Sequence, residues 1–397
     1  MKHFTQRRSR IQNSLQKNEV LLVRQPAETI RNNDVHYPYH PNRYFYYLTG
    51  FTEPDASLLI SKTTCILFSQ PSDSQRTLWE GALIAEQAVA RYNIDQWYAN
   101  NHIKDRLEKD LKTVETIHMI GDHPHTPKHC SVQPGEKILD PMRLIKDAHE
   151  ISCIRKACEI SAQAHNALLQ HLDPLHESAL DGEFIKQTMQ AGSRSLAYPS
   201  IVASGMNACT LHYTKNNNPI AKGDIVLVDA GCEFQQYASD ITRTFPADKH
   251  FTAPQQALYE AVLDTQKSTI LLAKPGNTLS QLHQHAVKQL TRHLLDLKII
   301  NTSLEDAIES KAYLEYFPHN IGHTMGLDVH DIRIEDDILK PGMVITVEPG
   351  LYVRSKGVFK ATGIRIEDDI LITDSGHENL SKDAIKEVSD IHTARNT

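Results

Sequence analysis

The sequence is poor in the features that mark several classes of protein. Its 397 residues include six cysteines, none in a Cys-x-x-Cys pair, which is typical of a reducing compartment and unlike a disulfide-rich secreted domain. No apolar stretch approaches the roughly 18 residues of a membrane-spanning helix. The basic, polar start of the chain lacks the apolar part of a secretory signal. We therefore expect a cytoplasmic protein that does not enter a membrane.

An excess of basic charge is also missing. The chain has 42 Lys and Arg residues against 49 Asp and Glu residues, a formal net charge of −7, so no broad basic field exists to bind nucleic acid. No Gly-x-Gly-x-x-Gly follows a strand-like run, which disfavours a nucleotide-dependent oxidoreductase. With 40% hydrophobic and 23% charged residues the composition is that of a globular protein. A small molecule or a peptide is the expected partner.

The apolar pattern changes along the chain and predicts two domains. The first third alternates short apolar runs with turn residues, which indicates a smaller α/β domain over residues 1–145. Apolar residues then recur at three- and four-residue steps from Ile151, and two further helices are predicted over residues 254–274 and 279–297, with strands between and after them. Residues 146–397 should therefore form a domain of the α+β class.

Part of the second domain occurs twice. Residues 223–231 match residues 342–350: each copy has a glycine, an apolar strand, an acid, one further residue and a glycine. The first acids are Asp229 and Glu348, and a second acid follows in each copy on another strand-like run, Asp240 and Glu367. We interpret this as a pseudo-twofold duplication in which each half contributes two carboxylates to one site.

The first pair of acids predicts a cation. If the two runs form a hairpin centred between Phe234 and Gln235, Asp229 lies directly opposite Asp240, where two like charges destabilise the sheet. A divalent ion would remove this repulsion, because hard oxygen ligands hold such ions. In the second half, the strand period of two places Arg365 and Glu367 on one face. An acid at a strand end more often faces solvent, but four acids in a duplicated setting favour a site.

Histidines add nitrogen ligands to this set. His319, His323 and His330 lie within twelve residues, and Asn320 after the first of them excludes the His-Glu-x-x-His helix of zinc peptidases. Gly322 and Gly326 indicate a turn-rich segment. A lone histidine such as His212 is more often structural, but the neighbouring acids make it a candidate.

Taken together, these motifs resemble the pita-bread metallopeptidases, which include methionine aminopeptidase, Xaa-Pro dipeptidase, creatinase and aminopeptidase P. Five motifs occur in the family's order: Asp-x(10)-Asp, the histidine segment, Glu-Pro-Gly-Leu-Tyr and Gly-Ile-Arg-Ile-Glu, preceded by a Tyr-rich run at residues 37–54 that is similar to the N-terminal domain of aminopeptidase P. The resemblance implies a pita-bread catalytic domain and Xaa-Pro aminopeptidase activity. Asn320 stands where the family usually has glycine, and asparagine tolerates positive φ.

The resemblance also implies roles for individual residues. Asp229 would bind one metal ion, Asp240 and Glu367 would bridge two ions, and His323 with Glu348 would bind the other. His212, His319 and His330 match substrate-contacting and proton-handling histidines of the family, whereas Tyr352 and Arg365 match residues that support the site. Trp79 is similar to an aromatic residue that reaches the site of a neighbouring subunit, which implies a homo-oligomer, a dimer or a tetramer.

The expected chemistry is hydrolysis by a water activated between two divalent ions. The oxygen-rich ligand set favours Mn²⁺, with Co²⁺, Fe²⁺ or Zn²⁺ as alternatives. Glu348 is the candidate for proton transfer, and His319 or His330 for stabilising the oxyanion or the leaving nitrogen. The expected substrates are peptides with proline second. Two alternatives remain: an Xaa-Pro dipeptidase, and a pita-bread module that binds peptides without catalysis.

Overall fold

The computed structural model describes residues 2–170 and 176–396. By their contacts the residues divide into two compact units, Met1–Met142 and Arg143–Thr397, where the sequence predicts a boundary after residue 145. None of the helices in the described ranges is both long and apolar enough to cross a membrane.

The N-terminal unit has the strands β1 Glu19–Arg24, β2 Ile30–Asn32, β3 Val35–His36, β4 Ser57–Ser61, β5 Cys65–Ser69, β6 Gln96–Ala99, β7 Thr116–Ile120 and β8 Ser131–Pro134. Six of them form a mixed sheet with the strand order β6-β5-β4-β1-β7-β8, and β2 pairs with β3. Its helices are α1 Lys2–Ser14, α2 Arg43–Thr49, α3 Ser74–Glu80, α4 Ala88–Tyr92, α5 Ile103–Asp110 and α6 Glu136–Leu144, which runs past the unit boundary. The predicted mixture of strands and helices is present.

The C-terminal unit combines small antiparallel sheets with longer helices, as expected for the α+β class. Its strands are β9 Ser195–Leu196, β10 Ile201–Ser204, β11 Ile225–Asp229, β12 Cys232–Phe234, β13 Tyr237–Ala238, β14 Thr242–Pro246, β15 Val344–Val347, β16 Gly350–Val353, β17 Thr362–Arg365, β18 Asp368–Ile372 and β19 His377–Asn379. Its helices are α7 Ala148–Leu168, α8 Glu177–Gln190, α9 Ala253–Ile270, α10 Leu279–Asp296, α11 Leu304–Glu309 and α12 Val388–Ala394.

The helices of this unit begin where their side chains satisfy the first backbone N–H groups. At α7 the Asp147 carboxylate accepts from the N–H groups of His149 and Glu150, while the Glu150 carboxylate accepts from the N–H of Asp147. Thr278 and Gln281 form the same capping box at α10. The apolar faces of α8, α9 and α10 join the buried sides of the strands in one core, which includes Val228, Ile345 and Ile366.

The hairpin that carries Asp229 and Asp240 differs from its prediction by two positions. In the ladders β11–β14 and β12–β13 the paired residue numbers add to 471, so Asp229 pairs with Thr242 and not with Asp240. The turn therefore lies on Gln235 and Gln236, whose φ angles are +49° and +67°. Positive φ at both central residues is the geometry of a type I′ turn, which follows strand twist. The turn itself has no Asn-Gly or Asp-Gly pair to reveal it.

The second half places its acids differently. The ladders β15–β18 and β16–β17 have the same register, since the paired residue numbers add to 715 in both. Continued between the two ladders, this register places Glu348 opposite Glu367. In the first half the equivalent acid, Asp229, lies opposite Thr242. Thr242 thus occupies the position in the first half that Glu367 occupies in the second. Asp240, the second acid of the first half, lies two residues before Thr242. The two halves share a strand pattern but not the placement of the second acid.

Candidate active site

The sequence-predicted acids and histidines converge on one cavity of about 620 Å³ in the C-terminal unit. Such a volume suits a ligand of a few residues. The wall combines these polar groups with apolar side chains, among them Ile201, Leu211 and Val329. The predicted site residues on it are Asp229, Asp240, Glu348, Glu367, Arg365, His212, His319, His323 and His330.

The two aspartates of the first half share a donor that the sequence does not reveal. The Tyr198 hydroxyl lies 2.7 Å from Oδ1 of Asp229 and 2.5 Å from Oδ1 of Asp240. The other oxygen of Asp229 accepts from Nη2 of Arg365 at 2.6 Å. Burial raises the pKa of Asp229 and, more strongly, the pKa of the Tyr198 hydroxyl, which is therefore a neutral donor.

Glu367 is held by the residue that faces Asp229 across the hairpin. The hydroxyl of Thr242 donates to Oε2 of Glu367 at 2.6 Å and lies 3.1 Å from Nε of Arg365. Glu367 is buried, and this burial together with the neighbouring carboxylates raises its pKa well above the usual range. Arg365 is the permanent cation of this group of acids, because its guanidinium remains charged at any accessible pH.

Glu348 and His323 stand next to each other. Nε2 of His323 lies 3.7 Å from Oε1 of Glu348 and 3.5 Å from Oδ2 of Asp240. Burial alone would lower the pKa of His323, but the hydrogen bond and charge of Asp240, together with the charge of Glu348, raise it to about 9. Burial raises the pKa of Glu348 to about 7.

His319 belongs to a chain of hydrogen bonds behind the acids. Nη1 of Arg365 donates to the hydroxyl of Tyr352 at 2.8 Å, and that hydroxyl lies 2.9 Å from Nε2 of His319. Nδ1 of His319 is 2.8 Å from the carbonyl oxygen of Asn320, which assigns the proton to Nδ1 and makes Nε2 an acceptor. Burial and the nearby charge of Arg365 lower the pKa of His319 to about 3, so the ring is neutral.

His212 and His330 occupy the exposed wall of the cavity. The ring of His330 lies edge-on to that of His323, with 4.1 Å between the centroids. Trp79 belongs to the N-terminal unit, on α3, and its side chain is 85% exposed. The backbone at Asn320 does not adopt the positive φ that asparagine would tolerate there.

The donor set fits divalent metal ions. Ligand atoms of Asp240, His323 and Glu367 all lie within 4.8 Å of one another. Nδ1 of His323 is 3.1 Å from the carbonyl oxygen of Thr324, so this nitrogen is a donor, and Nε2, which faces Asp240, would give up its proton to bind an ion. A metal-bound histidine is usually oriented by such a bond. Four neighbouring carboxylates, three of them buried, also exceed the charge that Arg365 and His323 supply.

Sequence reasoning missed two residues of the site, Tyr198 and Thr242. Thr242 follows Asp240 by two positions in a run with a strand-like sequence, so a period of two would have placed both on one face and could have identified it. Tyr198 lies in a loop before Pro199, and nothing in its local sequence relates it to acids more than thirty positions away.

Comparisons with known proteins agree with this geometry. The chain matches the family model described as Metallopeptidase family M24 over residues 152–374, and the model described as Aminopeptidase P, N-terminal domain, over residues 4–118. It is 38% identical to the Xaa-Pro aminopeptidase of Haemophilus influenzae, over 99% of this chain and 97% of that protein. Identity to the Xaa-Pro aminopeptidase of Escherichia coli is 33%, over 98% and 96%.

A solved structure is similar over the whole chain. Zn-substituted aminopeptidase P of E. coli in complex with product superposes with a TM-score of 0.95 at 33% identity, covering 100% of this chain and 98% of that one.

Proposed function

We propose how this chain, which belongs to metallopeptidase family M24 and is an Xaa-Pro aminopeptidase, performs its reaction. It hydrolyses the peptide bond between an N-terminal residue and a following proline, in a pita-bread domain preceded by an aminopeptidase P N-terminal domain. The observation that carries the mechanism is the convergence of three buried carboxylates, the partly exposed carboxylate of Glu348 and His323 on one cavity. The relatives are aminopeptidases, which disfavours the dipeptidase and the non-catalytic module.

The five side chains Asp229, Asp240, His323, Glu348 and Glu367 would hold two divalent ions. Asp229 would hold one ion, His323 and Glu348 would hold the other, and Asp240 and Glu367 would be shared by both. The oxygen-rich set favours Mn²⁺ over Co²⁺, Fe²⁺ or Zn²⁺. Bound there, the ions supply a nucleophile from water at neutral pH and polarise the scissile carbonyl.

The remaining steps fall to the side chains of the wall. Glu348 transfers the proton, since its carboxylate borders the cavity at the place where the ions would be held. His319 has both ring nitrogens engaged and therefore orients the wall through Tyr352 and Arg365. His330 and His212 are exposed and contact the peptide, where a ring N–H stabilises the oxyanion or the leaving nitrogen.

Selectivity for proline follows from the shape of its residue. A prolyl nitrogen carries no N–H, and its ring fixes φ, so it needs an apolar surface rather than a hydrogen-bond acceptor. Ile201, Leu211 and Val329 provide apolar surface in the cavity. The free amino terminus of the peptide then determines which bond lies at the acids.

We further propose that the protein works in the cytoplasm as a homo-oligomer, a dimer or a tetramer. The absence of disulfide-type cysteine spacing supports the first statement. Trp79 supports the second, because a large exposed aromatic side chain is suited to reach the site of a neighbouring subunit.

Replacing a bridging ligand tests the mechanism. Asp240→Asn should abolish metal-dependent release of the first residue from an Ala-Pro-Ala-type peptide while the circular dichroism spectrum persists. Asp296→Asn, at an exposed position of α10, is the matched control and should retain activity. Full activity of the Asp240 variant would remove the bridging assignment. An Ala-Pro dipeptide assayed beside the longer peptide separates an aminopeptidase from a dipeptidase.

A further inference from the structure

Glu177, the first residue of α8, has a buried carboxylate that neutral groups stabilise. Oε1 accepts from the backbone N–H of Ser204 and its hydroxyl, both at 2.8 Å, and from Nδ2 of Asn207 at 3.0 Å. Oε2 accepts from the hydroxyl of Tyr213 at 2.8 Å and from the N–H of Asn218 at 2.9 Å. Burial would raise the pKa of Glu177, but these hydrogen bonds lower it, so the carboxylate is ionised.

All of these donors belong to one segment, residues 204–218, which we term the cavity loop. The carboxylate joins both ends of the loop, and the backbone N–H of Glu177 donates to the carbonyl of Asn218 at 3.0 Å. A buried carboxylate with five hydrogen bonds is a strong anchor, because hydrogen bonds to a charged group are stronger than those between neutral groups.

The cavity loop forms one wall of the active-site cavity. Leu211, His212 and Thr214 line the cavity, whereas Tyr213 directs its hydroxyl away from it to Glu177. Tyr213, which is bound to the anchor, therefore lies between two residues of the cavity wall, His212 and Thr214. Any shift of Tyr213 moves the neighbours on both sides, and with them His212.

A second set of contacts fixes the loop from the opposite side. A Cβ atom at Gly363 on β17 would lie 2.0 Å from the carbonyl oxygen of Ala208, so the loop approaches that strand as closely as only glycine permits. Arg354 donates to the carbonyl of Cys209 at 2.6 Å. Residues 204–209 are thus held from two sides. Residues 213–218 are held by the hydrogen bonds of the Glu177 carboxylate and of the Asn216 side chain.

We propose that Glu177 is a positioning residue that holds His212 and the adjoining wall where they contact the peptide. The inference deepens the proposed function and depends on it, because it concerns the same cavity. Glu177 touches neither the acids nor His323 in any described contact. Its hydrogen bonds should therefore determine the affinity for peptide and leave metal binding and the proton-transfer step unchanged.

The first test is Glu177→Gln, which keeps the size of the side chain. An amide nitrogen would face the N–H of either Ser204 or Asn218, and both of these are obligatory donors. We expect KM for an Ala-Pro-Ala-type peptide to rise about tenfold, with kcat and the number of bound metal ions unchanged. Hydrogen exchange at residues 210–218 should accelerate about tenfold or more. Glu305→Gln, exposed on α11, is the control for the loss of one negative charge.

Two further variants separate positioning from general stability. Tyr213→Phe removes only one of the five hydrogen bonds and should raise KM less than Glu177→Gln does. In a His212→Ala background, Glu177→Gln should raise KM by much less than in the wild type, because the contact it positions is already gone. If Glu177→Gln does not fold, Tyr213→Phe carries the test alone.

The proposal is overturned if folded variants keep the wild-type KM and exchange rates. It is also overturned if metal content falls, if kcat falls at constant KM, or if the effect persists in full without His212. Failure of the proposed function looks different: the wild-type protein would not release the first residue from the peptide. Hydrogen exchange then still reports whether Glu177 orders the loop.

Discussion

The hydroxyl of Tyr198 lies 2.7 Å from Oδ1 of Asp229, and the same oxygen atom lies 2.5 Å from Oδ1 of Asp240. One neutral phenol thus sets the spacing of two carboxylates from separate strands. A single O–H can donate to only one of them, so an ion that occupies the other oxygens satisfies both acids together.

Tyr198→Phe should weaken metal binding. Removing a group that orients a metal ligand typically costs about 10- to 100-fold in affinity. We expect the dissociation constant for Mn²⁺, measured by calorimetry or chelator competition, to rise within that range. Tyr313→Phe, in the same unit but outside the cavity lining, is the control. An unchanged affinity for the metal would show that Asp229 and Asp240 hold their positions without the phenol.

Removing the metal should lower the stability of the C-terminal unit. Four carboxylates, three of them buried, remain close together when the ions leave. A ligand present at about 100 times its dissociation constant stabilises a protein by about 2.7 kcal/mol. Dialysis against a chelator should lower the melting temperature, and restoring Mn²⁺ should raise it again. In Asp240→Asn the metal-dependent shift should be small. Equal melting temperatures with and without metal in the wild type would contradict this.

The buried ring of His165 predicts a loss of stability in acid. Burial lowers the pKa of His165 to about 3, and its Nε2 lies 2.9 Å from the carbonyl of Ala230. In the unfolded chain the ring has a pKa of about 6.5, so at a pH between about 3 and 6.5 it binds a proton that the ring in the folded protein does not bind. This contribution is complete above pH 6.5 and is lost as the pH falls toward 3, by about 1.4 kcal/mol per pH unit.

Urea unfolding at several pH values measures this effect. His165→Gln keeps an N–H donor but does not titrate, so it should remove about one proton from the uptake on unfolding below pH 6.5. His36→Gln, exposed on β3, provides the comparison. If the slope of stability against pH is the same in all three proteins, His165 is not the group responsible.

The ion pairs beside the histidine segment predict a large effect of Asp331→Asn. Oδ1 of Asp331 accepts from Arg143 at 2.6 Å and Oδ2 accepts from Lys146 at 3.0 Å, and all three side chains are buried. Removing the carboxylate leaves two buried cations with less compensation, which costs about 3–5 kcal/mol. The free energy of unfolding in urea should fall by that amount.

A surface ion pair supplies the control for this variant. Asp336 contacts Lys340, four residues further along an irregular segment, and both side chains are about half exposed. Asp336→Asn should leave the unfolding curve unchanged, because exposed pairs contribute little. Comparable losses in the two variants would mean that the burial of Asp331 is not what matters.

Much of the site followed from local sequence rules. Strand period placed Arg365 and Glu367 on one face and Ile364 and Ile366 in the core, as the structure confirms. What local rules could not supply is register. The turn at Gln235 and Gln236 has none of the usual residues for positive φ, so the predicted hairpin was wrong by two positions and Thr242 was overlooked.

Contacts across long sequence distances were equally out of reach. Tyr198 meets Asp229, and Glu177 meets Asn218, because the chain folds back between them. Neither pair has a spacing that marks it. Asn320 is a different case: asparagine tolerates positive φ, but the backbone there does not adopt it, since tolerance of a conformation does not mean that the fold uses it.

The hydrogen-bond donors behind the acids affect how the protein responds when the supply of metal ions is low or changes. Hydrogen bonds from within the protein hold the acids in place: Tyr198 donates toward Asp240, Thr242 to Glu367 and Arg365 to Asp229. The arrangement of these acids therefore does not depend on a bound ion. Swapping one metal for another becomes a local exchange at a standing scaffold, and the chain need not refold each time it is reloaded.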